Sequence, residues 1–261
     1  MKDKVIWITG ASSGIGEALV YELADAGAKL IISSRNRDEL FRVKQKCRNQ
    51  IDIHVISLDL EDSESLPKKA EEAIRIYGRI DILINSGGIS QRALALATDL
   101  KTEKRFMDIN FWGTVILSKA VLPQMIRQDS GSIVCVSSLV GKFGTSLRSA
   151  YSASKHALHG YFESLRIELD STNIHILLAC PGFIKTNVTI NALTADGSKQ
   201  GTMDQAQENG MPAEECAKQI IKAIQKKKDE VYIGGKEVKG VLLKRLFPSY
   251  FAKIIKKAKV T

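Results

Sequence analysis

The sequence predicts an α/β protein built on one doubly wound parallel sheet of about seven strands, with helices on both faces. Short apolar runs alternate with amphipathic stretches along most of the chain, which is the pattern of repeated βαβ units. The length of 261 residues suits one large α/β domain with a substantial core. No internal repeat and no Pro/Ser-rich linker divides the chain. We therefore predict a single domain.

Each short apolar run is a predicted strand, and each amphipathic stretch is a predicted helix. The strands are expected at residues 5–9, 29–33, 53–58, 80–85, 132–137, 175–179 and 230–233. The helices are expected at residues 15–26, 38–49, 63–77, 100–128, 150–171 and 213–227. Residues 186–210 break the pattern, because they are polar, weakly periodic and rich in Asn, Thr, Gln and Gly. A loop of that length in a compact α/β domain usually serves as a lid or a binding loop.

Positive charge is concentrated at the C-terminal end of the chain. The whole sequence has 38 Lys and Arg residues against 29 Asp and Glu, a net charge of +9. Residues 1–221 contain 26 basic and 26 acidic side chains, whereas residues 222–261 contain 12 basic and 3 acidic ones. The body is therefore neutral. With 44% hydrophobic and 26% charged residues, the composition excludes a disordered or fibrous chain.

The apolar runs are short throughout. The first covers only residues 5–8, which is too short for a signal peptide or a membrane span. No later window holds eighteen uninterrupted apolar residues. We expect a soluble, cytoplasmic protein whose contact with membranes, if it makes one, is peripheral.

The cysteines and histidines show no metal-binding spacing. The four cysteines are far apart and form no CxxC pair: Cys47, Cys135, Cys180 and Cys216. We expect four reduced, mostly buried thiols. His156 and His159 share a predicted helix face, but no third ligand lies near them in the sequence. We therefore predict solvated or interface histidines and no metal site.

A glycine-rich turn joins the first predicted strand to the first predicted helix. It reads Thr9-Gly10-Ala11-Ser12-Ser13-Gly14-Ile15-Gly16. Glycines allow a tight turn and a close backbone approach to a pyrophosphate, while the helix N-terminus supplies N–H donors. The GxxxGxG spacing is not GxxxxGK[ST], which excludes a P-loop. The turn predicts a dinucleotide site, and the alternative is a tight turn that holds no ligand.

The end of the second predicted strand bears on the choice of cofactor. An acidic residue there would accept from the ribose 2′-OH of NAD, whereas a basic residue attracts the 2′-phosphate of NADP. Ser34 stands where the acid would be, and Arg35 follows it. This favours NADP(H) over NAD(H). The alternative is an arginine that is simply solvated.

Tyr151 and Lys155 begin the predicted helix 150–171. Their spacing of four residues puts both side chains on one helix face. An ammonium beside a phenol lowers a phenol pKa that starts near ~10, which suits a general acid/base. Ser138 follows the predicted strand 132–137 and adds a hydroxyl that can hold a substrate oxygen. Alone, this spacing is common on helix surfaces.

Together these residues resemble the short-chain dehydrogenase/reductases in order and spacing, over about residues 5–235. The motifs that carry the resemblance are Thr9 to Gly16, Asn85-Ser86-Gly87-Gly88, Asn110, Ser138, Tyr151, Lys155 and Pro181-Gly182. The resemblance implies a Rossmann-type catalytic domain over residues 1–235 and a homodimer or homotetramer formed through helices 100–128 and 150–171. Where the family commonly has Asn-Asn-Ala-Gly, this chain has Asn85-Ser86-Gly87-Gly88, a smaller turn that suggests looser packing on the adenosine side.

The resemblance also implies roles for individual residues. Tyr151 would be the catalytic acid/base, Ser138 would orient the substrate carbonyl, and Asn110 would hold a water in the proton relay. Lys155 would bind the nicotinamide ribose and lower the tyrosine pKa. Asp59 would contact the adenine, and Thr186 the carboxamide. The full set of expected cofactor-binding residues is Gly10, Ser12, Ser13, Gly14, Ile15, Gly16, Arg35, Asp59, Leu60, Asn85, Gly87, Tyr151, Lys155, Pro181, Gly182, Ile184 and Thr186.

The implied activity is NADP(H)-dependent interconversion of a carbonyl and a secondary alcohol on an apolar organic substrate, lipid-, steroid- or retinoid-like. The alternatives are a non-catalytic NADP-binding sensor and a membrane-surface scaffold. In this family the segment after Pro181-Gly182 covers the substrate, so residues 187–210 would be the lid. Its apolar members either face the substrate or pack the lid down: Val188, Ile190, Leu193 and Met203.

The C-terminal extension, residues 236–261, contains a basic amphipathic stretch at residues 241–260. Its apolar residues follow helical spacing: Leu243, Leu246, Phe247, Tyr250, Phe251, Ile254, Ile255 and Ala258. Its basic residues flank them: Lys244, Arg245, Lys253, Lys256, Lys257 and Lys259. Pro248 is expected to separate two short helices.

The occupant of the apolar face stays open at this point. It contacts a membrane, a second subunit or the domain itself. The tail is similar to those of membrane-associated family branches, the 11β-hydroxysteroid dehydrogenases and the member-seven dehydrogenase/reductases. Nucleic acid is not expected as a partner, because the aromatic residues share the apolar face.

Overall fold

The computed structural model describes residues 1–258 and contains nine β-strands in that range. Two residues of the predicted tail, Lys259 and Val260, lie outside the described residues, as does Thr261. The strands are β1 Val5–Thr9, β2 Lys29–Ser34, β3 Ile53–Ser57, β4 Ile82–Asn85, β5 Gly131–Val136, β6 Ile174–Pro181, β7 Ile184–Lys185, β8 Met211–Pro212 and β9 Glu230–Ile233.

Ten α-helices lie between and after these strands in the described part of the chain. They are α1 Gly14–Asp25, α2 Arg37–Lys46, α3 Leu66–Tyr77, α4 Leu100–Met107, α5 Gly113–Arg127, α6 Ser149–Glu168, α7 Gln205–Glu208, α8 Ala213–Gln225, α9 Lys239–Leu246 and α10 Pro248–Ile255. The predicted elements agree with them within three residues at each end, except for the helix predicted at 100–128.

Seven strands form one parallel sheet in the order β3-β2-β1-β4-β5-β6-β9. From β1 the chain proceeds outward to β2 and β3, and it then returns to place β4 on the other side of β1. The strand order therefore reverses between β1 and β4. In sheets of this kind, ligands bind at the carboxyl ends of the strands beside such a reversal. The predicted Rossmann-type fold class is confirmed.

The sheet is buried on both faces because successive strand side chains point to opposite sides. In β1, Ile6 and Ile8 pack with α1, α2 and α8, whereas Val5 and Trp7 pack with α3, α5 and α6. The indole N–H of Trp7 donates to Ser33 Oγ at 2.9 Å, so its one polar atom is satisfied inside the core. All four cysteines are free and buried, as predicted.

The helix predicted at residues 100–128 is divided by a wider turn. One turn of π-helix, Asp108–Trp112, connects α4 to α5 without a break. Its central residue, Asn110, accepts from the N–H of Ile89 at 2.8 Å and donates to the Ile89 carbonyl at 3.0 Å. These bonds tie the turn to the segment that follows β4. Sequence periodicity does not reveal such an insertion, and π turns recur at functional sites.

Residues 186–210 fold back over the carboxyl edge of the sheet. Leu193 pairs its main chain with the segment after β4, donating to Ser90 O at 2.8 Å and accepting from Arg92 N at 2.9 Å. The short helix α7 lies near the end of this segment, and β7 pairs with β8 at its base. The predicted loop is thus held by main-chain hydrogen bonds at several points.

The C-terminal extension forms two short helices, as predicted, with Pro248 as the first residue of α10. Phe251 of α10 is buried and packs edge-on against Phe143, with ring centroids 5.1 Å apart. One face of the extension therefore packs on its own domain. Across residues 1–258, no helix combines the length and the apolar character needed to cross a membrane.

Candidate active site

A cavity of about 490 Å³ lies at the carboxyl ends of β1, β2, β4, β5 and β6. Most of the predicted site residues form its wall: Gly10, Ser12, Ser13, Gly14, Ile15, Gly16, Arg35, Asp59, Leu60, Gly87, Ser138, Lys155, Pro181, Gly182, Ile184 and Thr186. Asn85, Asn110 and Tyr151 are not wall residues. The cavity therefore extends from the glycine-rich turn to the candidate reaction centre.

The glycine-rich turn at one end of the cavity is shaped for close backbone approach. Gly10 has φ 66°, and a Cβ there would lie 2.6 Å from Gly87 Cα. A Cβ on Gly16 would overlap the carbonyl oxygen of Gly10. Ser13 begins α1 without a side-chain cap. The N–H groups of the first helical turn therefore face the cavity and suit an anionic phosphate.

A partly buried ion pair between α1 and α2 supports this turn. Arg42 of α2 bonds Glu17 of α1, with Nη1 to Oε1 at 2.8 Å. Arg42 also donates from Nη2 to the carbonyl of Ser12 at 3.1 Å. These contacts connect α2 to the glycine-rich turn. Sequence reasoning missed them, because neither residue belongs to a motif.

The end of β2 brings Ser34, Arg35 and Asn36 to the cavity. Asn36 caps α2, since its Oδ1 accepts from the N–H groups of Asp38 and Glu39. In the described residues 1–258, no carboxylate forms an ion pair with Arg35. The guanidinium is therefore free to bind an anion.

The Asn85-Ser86-Gly87-Gly88 turn is tightly packed rather than loose. A Cβ on Gly87 would lie 2.6 Å from the side chain of Leu60. Leu60 thus fills the space that an alanine would occupy, and the expectation of looser packing is wrong. Asn85 itself is buried and donates from Nδ2 to Ser118 Oγ at 3.2 Å. Asn85 therefore holds this turn in position without lining the cavity itself.

The opposite end of the cavity holds Ser138 and Lys155. Ser138 Oγ donates to the Pro181 carbonyl at 3.2 Å. Lys155 is buried and donates from Nζ to the Val136 carbonyl at 2.9 Å. The same ammonium lies 5.8 Å from the ring centroid of Tyr151. The three predicted catalytic side chains from β5 and α6 therefore converge.

The pKa of Tyr151 is raised, not lowered as the sequence suggested. Burial raises it, and the hydroxyl of Ser138 together with the charges of Arg148 and Arg92 opposes that effect only in part. Burial also lowers the pKa of Lys155 to about 8. The expectation failed because spacing places an ammonium near the phenol but does not reveal how dry the site is.

Asn110 lies deep beside this centre. It is fully buried, and its Nδ2 donates to Ser154 Oγ at 3.0 Å as well as to the Ile89 carbonyl. A Cβ on Gly88 would lie 2.9 Å from Asn110 Oδ1 and 3.6 Å from Lys155 Nζ. The asparagine therefore lies close to the lysine. Its expected role in holding a water stays a prediction.

Two arginines that sequence reasoning missed are anchored near Tyr151. Arg92 forms a buried ion pair with Asp204, through Nε at 2.7 Å and through Nη2. The Nη2 of Arg148 lies 3.6 Å from the same carboxylate. Asp204 belongs to the predicted lid, 112 residues from Arg92. No sequence motif connects these residues, and the pair fixes the lid beside the phenol.

His159 is buried, so the solvated alternative is wrong for this residue, whereas His156 is exposed. Its Nε2 lies 3.1 Å from Ser137 Oγ and 3.7 Å from Cys180 Sγ. Ligand atoms of His159, Cys180 and Glu230 all lie within 4.8 Å of one another. Lys142 Nζ is 2.7 Å from the Glu230 carboxylate, so an ammonium already accompanies that charge. The absence of a metal site stays a prediction.

The apolar residues of the lid divide between two roles. Val188 and Leu193 line the cavity, and Ile190 and Met203 are not among its wall residues. Met203 Sδ instead accepts from Thr189 Oγ1 at 3.1 Å. Val188 and Leu193 are therefore the lid residues placed to face a substrate, and that role stays a prediction.

Comparison with known proteins identifies sequence relatives. The short chain dehydrogenase family model matches residues 4–197. A protein described as dehydrogenase/reductase SDR family protein 7-like, from Anopheles gambiae, is 40% identical over 98% of this chain and 83% of its own length. Dehydrogenase/reductase SDR family member 7B of Danio rerio is 37% identical over 98% of this chain and 85% of its own.

Solved structures share the fold. A short-chain dehydrogenase from Streptomyces avermitilis has a TM-score of 0.84 at 28% identity, covering 98% of this chain and 96% of that one. A short chain dehydrogenase/reductase from Burkholderia phymatum, solved in complex with NAD, also has a TM-score of 0.84, at 22% identity over 100% and 97% of the two chains. The latter likeness speaks to the fold alone.

Proposed function

This chain belongs to the short-chain dehydrogenase/reductase family of oxidoreductases, and we propose that it uses NADP(H) to interconvert a carbonyl and a secondary alcohol. The substrate we propose is apolar and organic, of a lipid-, steroid- or retinoid-like class. The proposal rests on the residues of the cavity, which divide into a cofactor end and a reaction end.

The observation that carries the proposal is the convergence of three side chains. Ser138 and Lys155 line one end of the cavity that begins at the glycine-rich turn, and Tyr151 lies beside them. A dinucleotide seated on that turn would extend toward these three side chains. A protein that only bound the cofactor, and catalysed no reaction, would not require a phenol beside a hydroxyl and an ammonium. Their meeting therefore favours a catalyst over a sensor.

The cofactor end fits a nicotinamide dinucleotide. The open N-terminus of α1 and the glycines Gly10 and Gly14 would hold the pyrophosphate. Lys155 would bind the ribose next to the nicotinamide. When bound, this group supplies or accepts the hydride. The protein's own contribution is position and proton transfer.

Arg35 supports NADP(H) over NAD(H). Its guanidinium reaches the cavity wall at the end of β2, with Ser34 where an NAD-selective acid would stand. A 2′-phosphate offers the oxygens that a guanidinium binds best. The Burkholderia phymatum relative was solved with NAD, so the preference proposed for this chain depends on its own residues.

Proton transfer is assigned to Tyr151. In reduction, the carbonyl carbon gains a hydride while its oxygen takes the proton of the Tyr151 hydroxyl. The raised pKa keeps this phenol protonated at neutral pH. Ser138 would exchange its bond to Pro181 O for one to the substrate oxygen. Arg148 and Arg92 stabilise the phenolate that remains, which then regains a proton from solvent.

Apolar residues of the cavity wall support the proposed apolar class of substrate. Ile89, Ile109, Val188 and Leu193 line this cavity. Two of them, Val188 and Leu193, belong to the lid, which would cover a bound substrate with hydrocarbon. An apolar substrate would bury its surface against this wall, and that burial favours binding.

The function is tested by a panel of apolar ketones and alcohols with NADPH and NADP⁺. We expect turnover by the native chain, and Tyr151→Phe should lower kcat by about 10²- to 10⁴-fold, because it removes the proton donor. Tyr161→Phe, on the same helix, is the matched control and should retain native kcat. Its ring packs against Phe111 outside the cavity wall.

Two results would contradict the assignment. Near-native turnover by Tyr151→Phe would remove the phenol from the chemistry. NADPH binding without turnover of any panel member, and without any difference between the two variants, would instead support the NADP-binding sensor.

A further inference from the structure

The helices α9 and α10 present two different apolar faces. The inner face packs on the domain, where Phe251 joins a buried cluster with Leu139, Phe143 and Cys180. The outer face is exposed and comprises Leu242, Leu246, Phe247, Tyr250 and Ile254. Four of these five side chains are 58–61% exposed, and Ile254 is 40% exposed. The domain therefore covers only one side of the amphipathic extension.

The outer face is accompanied by positive charge alone. Six exposed cations belong to the same two helices and the residues just after them: Lys239, Lys244, Arg245, Lys253, Lys256 and Lys257. The sequence has no acidic residue after Glu237. The rest of the chain, by contrast, has balanced charge up to residue 221. Apolar exposure and unbalanced positive charge thus coincide at one place.

We propose that the outer face docks on an anionic lipid bilayer. Phe247 and Tyr250, with the three aliphatic side chains, would enter the boundary between headgroups and acyl chains. Lys239, Arg245, Lys253, Lys256 and Lys257 would lie at the level of the lipid phosphates. The ammonium of Lys244 instead donates to the Lys142 carbonyl at 2.6 Å, which attaches α9 to the domain. This division between aromatic or aliphatic anchors and basic neighbours is the pattern of interfacial helices.

Charge argues against a second copy of the chain as the occupant. A two-fold self-contact would place the outer face of one subunit on the outer face of the other. Two groups of six cations would then approach each other without any acidic partner from these helices. An anionic bilayer offers the opposite charge together with an apolar layer, and it satisfies both features of the surface.

Another exposed apolar segment serves as the internal comparison. Leu94, Leu96 and Leu100 are 60%, 101% and 66% exposed. Residues 94–105 contain three basic and two acidic side chains, so the charge of this segment is nearly balanced. It therefore lacks the electrostatic attraction to anionic lipid that the outer face has. Substitutions there test whether exposed hydrocarbon alone is sufficient.

The experiment is co-sedimentation of the full chain with vesicles of phosphatidylcholine, with and without phosphatidylserine, at low and high salt. We expect tighter binding to the anionic vesicles, weakened by salt. The double variant Phe247→Glu/Tyr250→Glu should lower the partition coefficient at least about tenfold. The matched control, Leu96→Glu/Leu100→Glu, should change it less than about twofold. Thermal unfolding of each variant checks that it is folded.

A second set of variants separates charge from apolar insertion. Lys253→Gln, Lys256→Gln and Lys257→Gln should each weaken binding to anionic vesicles about fivefold, with no change on phosphatidylcholine. The proposal is overturned if the native chain does not pellet with anionic vesicles, or if the Phe247→Glu/Tyr250→Glu variant pellets equally well. It is also overturned if that variant leaves vesicle binding unchanged while converting an oligomer to a monomer in analytical ultracentrifugation.

Discussion

The two ends of the cavity are built in different ways. The cofactor end consists largely of main chain and one open cation: Gly10, Gly14, the N-terminus of α1 and Arg35. The reaction end consists of side chains that are already bonded to protein: the buried Lys155 to Val136 and the half-buried Ser138 to Pro181. One end presents groups that can bind an anion, and the other holds its side chains in hydrogen bonds to the protein.

This difference decides what each end depends on. Recognition at the cofactor end needs local chain geometry and a single guanidinium, so its effects should be confined to ligand binding. The reaction end needs charges from remote parts of the chain, such as the lid carboxylate of Asp204. Its properties should therefore respond to pH and to distant substitutions.

The largest expected effect concerns His159, a buried residue whose Nε2 lies 3.1 Å from Ser137 Oγ, next to the reaction end. Burial, with the charge of Lys142, lowers the pKa of His159 to about 4 from an ordinary value of 6.5. The unfolded chain therefore binds a proton that the folded chain does not between these two pH values. The folded state should lose up to about 3 kcal/mol through this residue as pH falls from 6.5 to 4.

The measurement is urea unfolding of the native chain and of His159→Gln at pH 7.5 and pH 4.5. The variant should lose less stability between the two conditions than the native chain does. His54→Gln removes an exposed histidine and is the control. An identical pH dependence for native chain and His159→Gln would show that the buried imidazole carries no such penalty.

The next effect concerns the cofactor end. Arg35→Ala should raise the Kd for NADPH about 30-fold, corresponding to about 2 kcal/mol for a charge-assisted contact. The Kd for NADH should change less than about threefold, because NADH has no 2′-phosphate. Fluorescence titration measures both constants. Arg37→Ala is the matched control, since Arg37 stacks on Phe41. Equal losses for NADPH and NADH would remove Arg35 from phosphate recognition.

The smallest effect is a shift in the pH profile of kcat. Asp204 balances Arg92 and Arg148, whose charges lower the pKa of Tyr151. Asp204→Asn should therefore move the alkaline limb of reduction to lower pH by about one unit, and Arg148→Met should move it to higher pH.

Two controls accompany this pair of variants. Asp196→Asn removes an exposed lid carboxylate that bonds Thr194 and Ser198, and it should leave the profile unchanged. Thermal unfolding identifies any variant whose lid or fold is lost. Shifts of the same sign for Asp204→Asn and Arg148→Met would refute the electrostatic account.

The cofactor end was predictable because its chemistry is local in sequence. A strand, a glycine-rich turn and a helix follow one another within residues 5–26. At the reaction end one pair was equally local, because the i, i+4 spacing of Tyr151 and Lys155 fixes their shared helix face. The alternation of apolar runs with amphipathic stretches predicted a parallel, doubly wound sheet, because crossover connections between parallel strands have few alternatives. The division of the C-terminal extension into two short helices was predictable from Pro248.

The features that were missed all depend on contacts between distant segments. Arg92 meets Asp204 across 112 residues, and His159 meets Glu230 only when β6 and β9 pair in the sheet. The raised pKa of Tyr151 results from burial, which no spacing reveals. The close approach of Leu60 to Gly87 likewise depends on tertiary packing, which the sequence does not reveal.

The most direct test of the proposed reaction is transfer of the hydride itself. Incubation with NADPH that carries deuterium at the transferable position of the nicotinamide, together with a panel ketone, should give an alcohol with deuterium on its carbinol carbon. Mass spectrometry of the product measures this transfer. An alcohol that forms without the label, or NADPH that binds tightly while no ketone is reduced, would contradict the account.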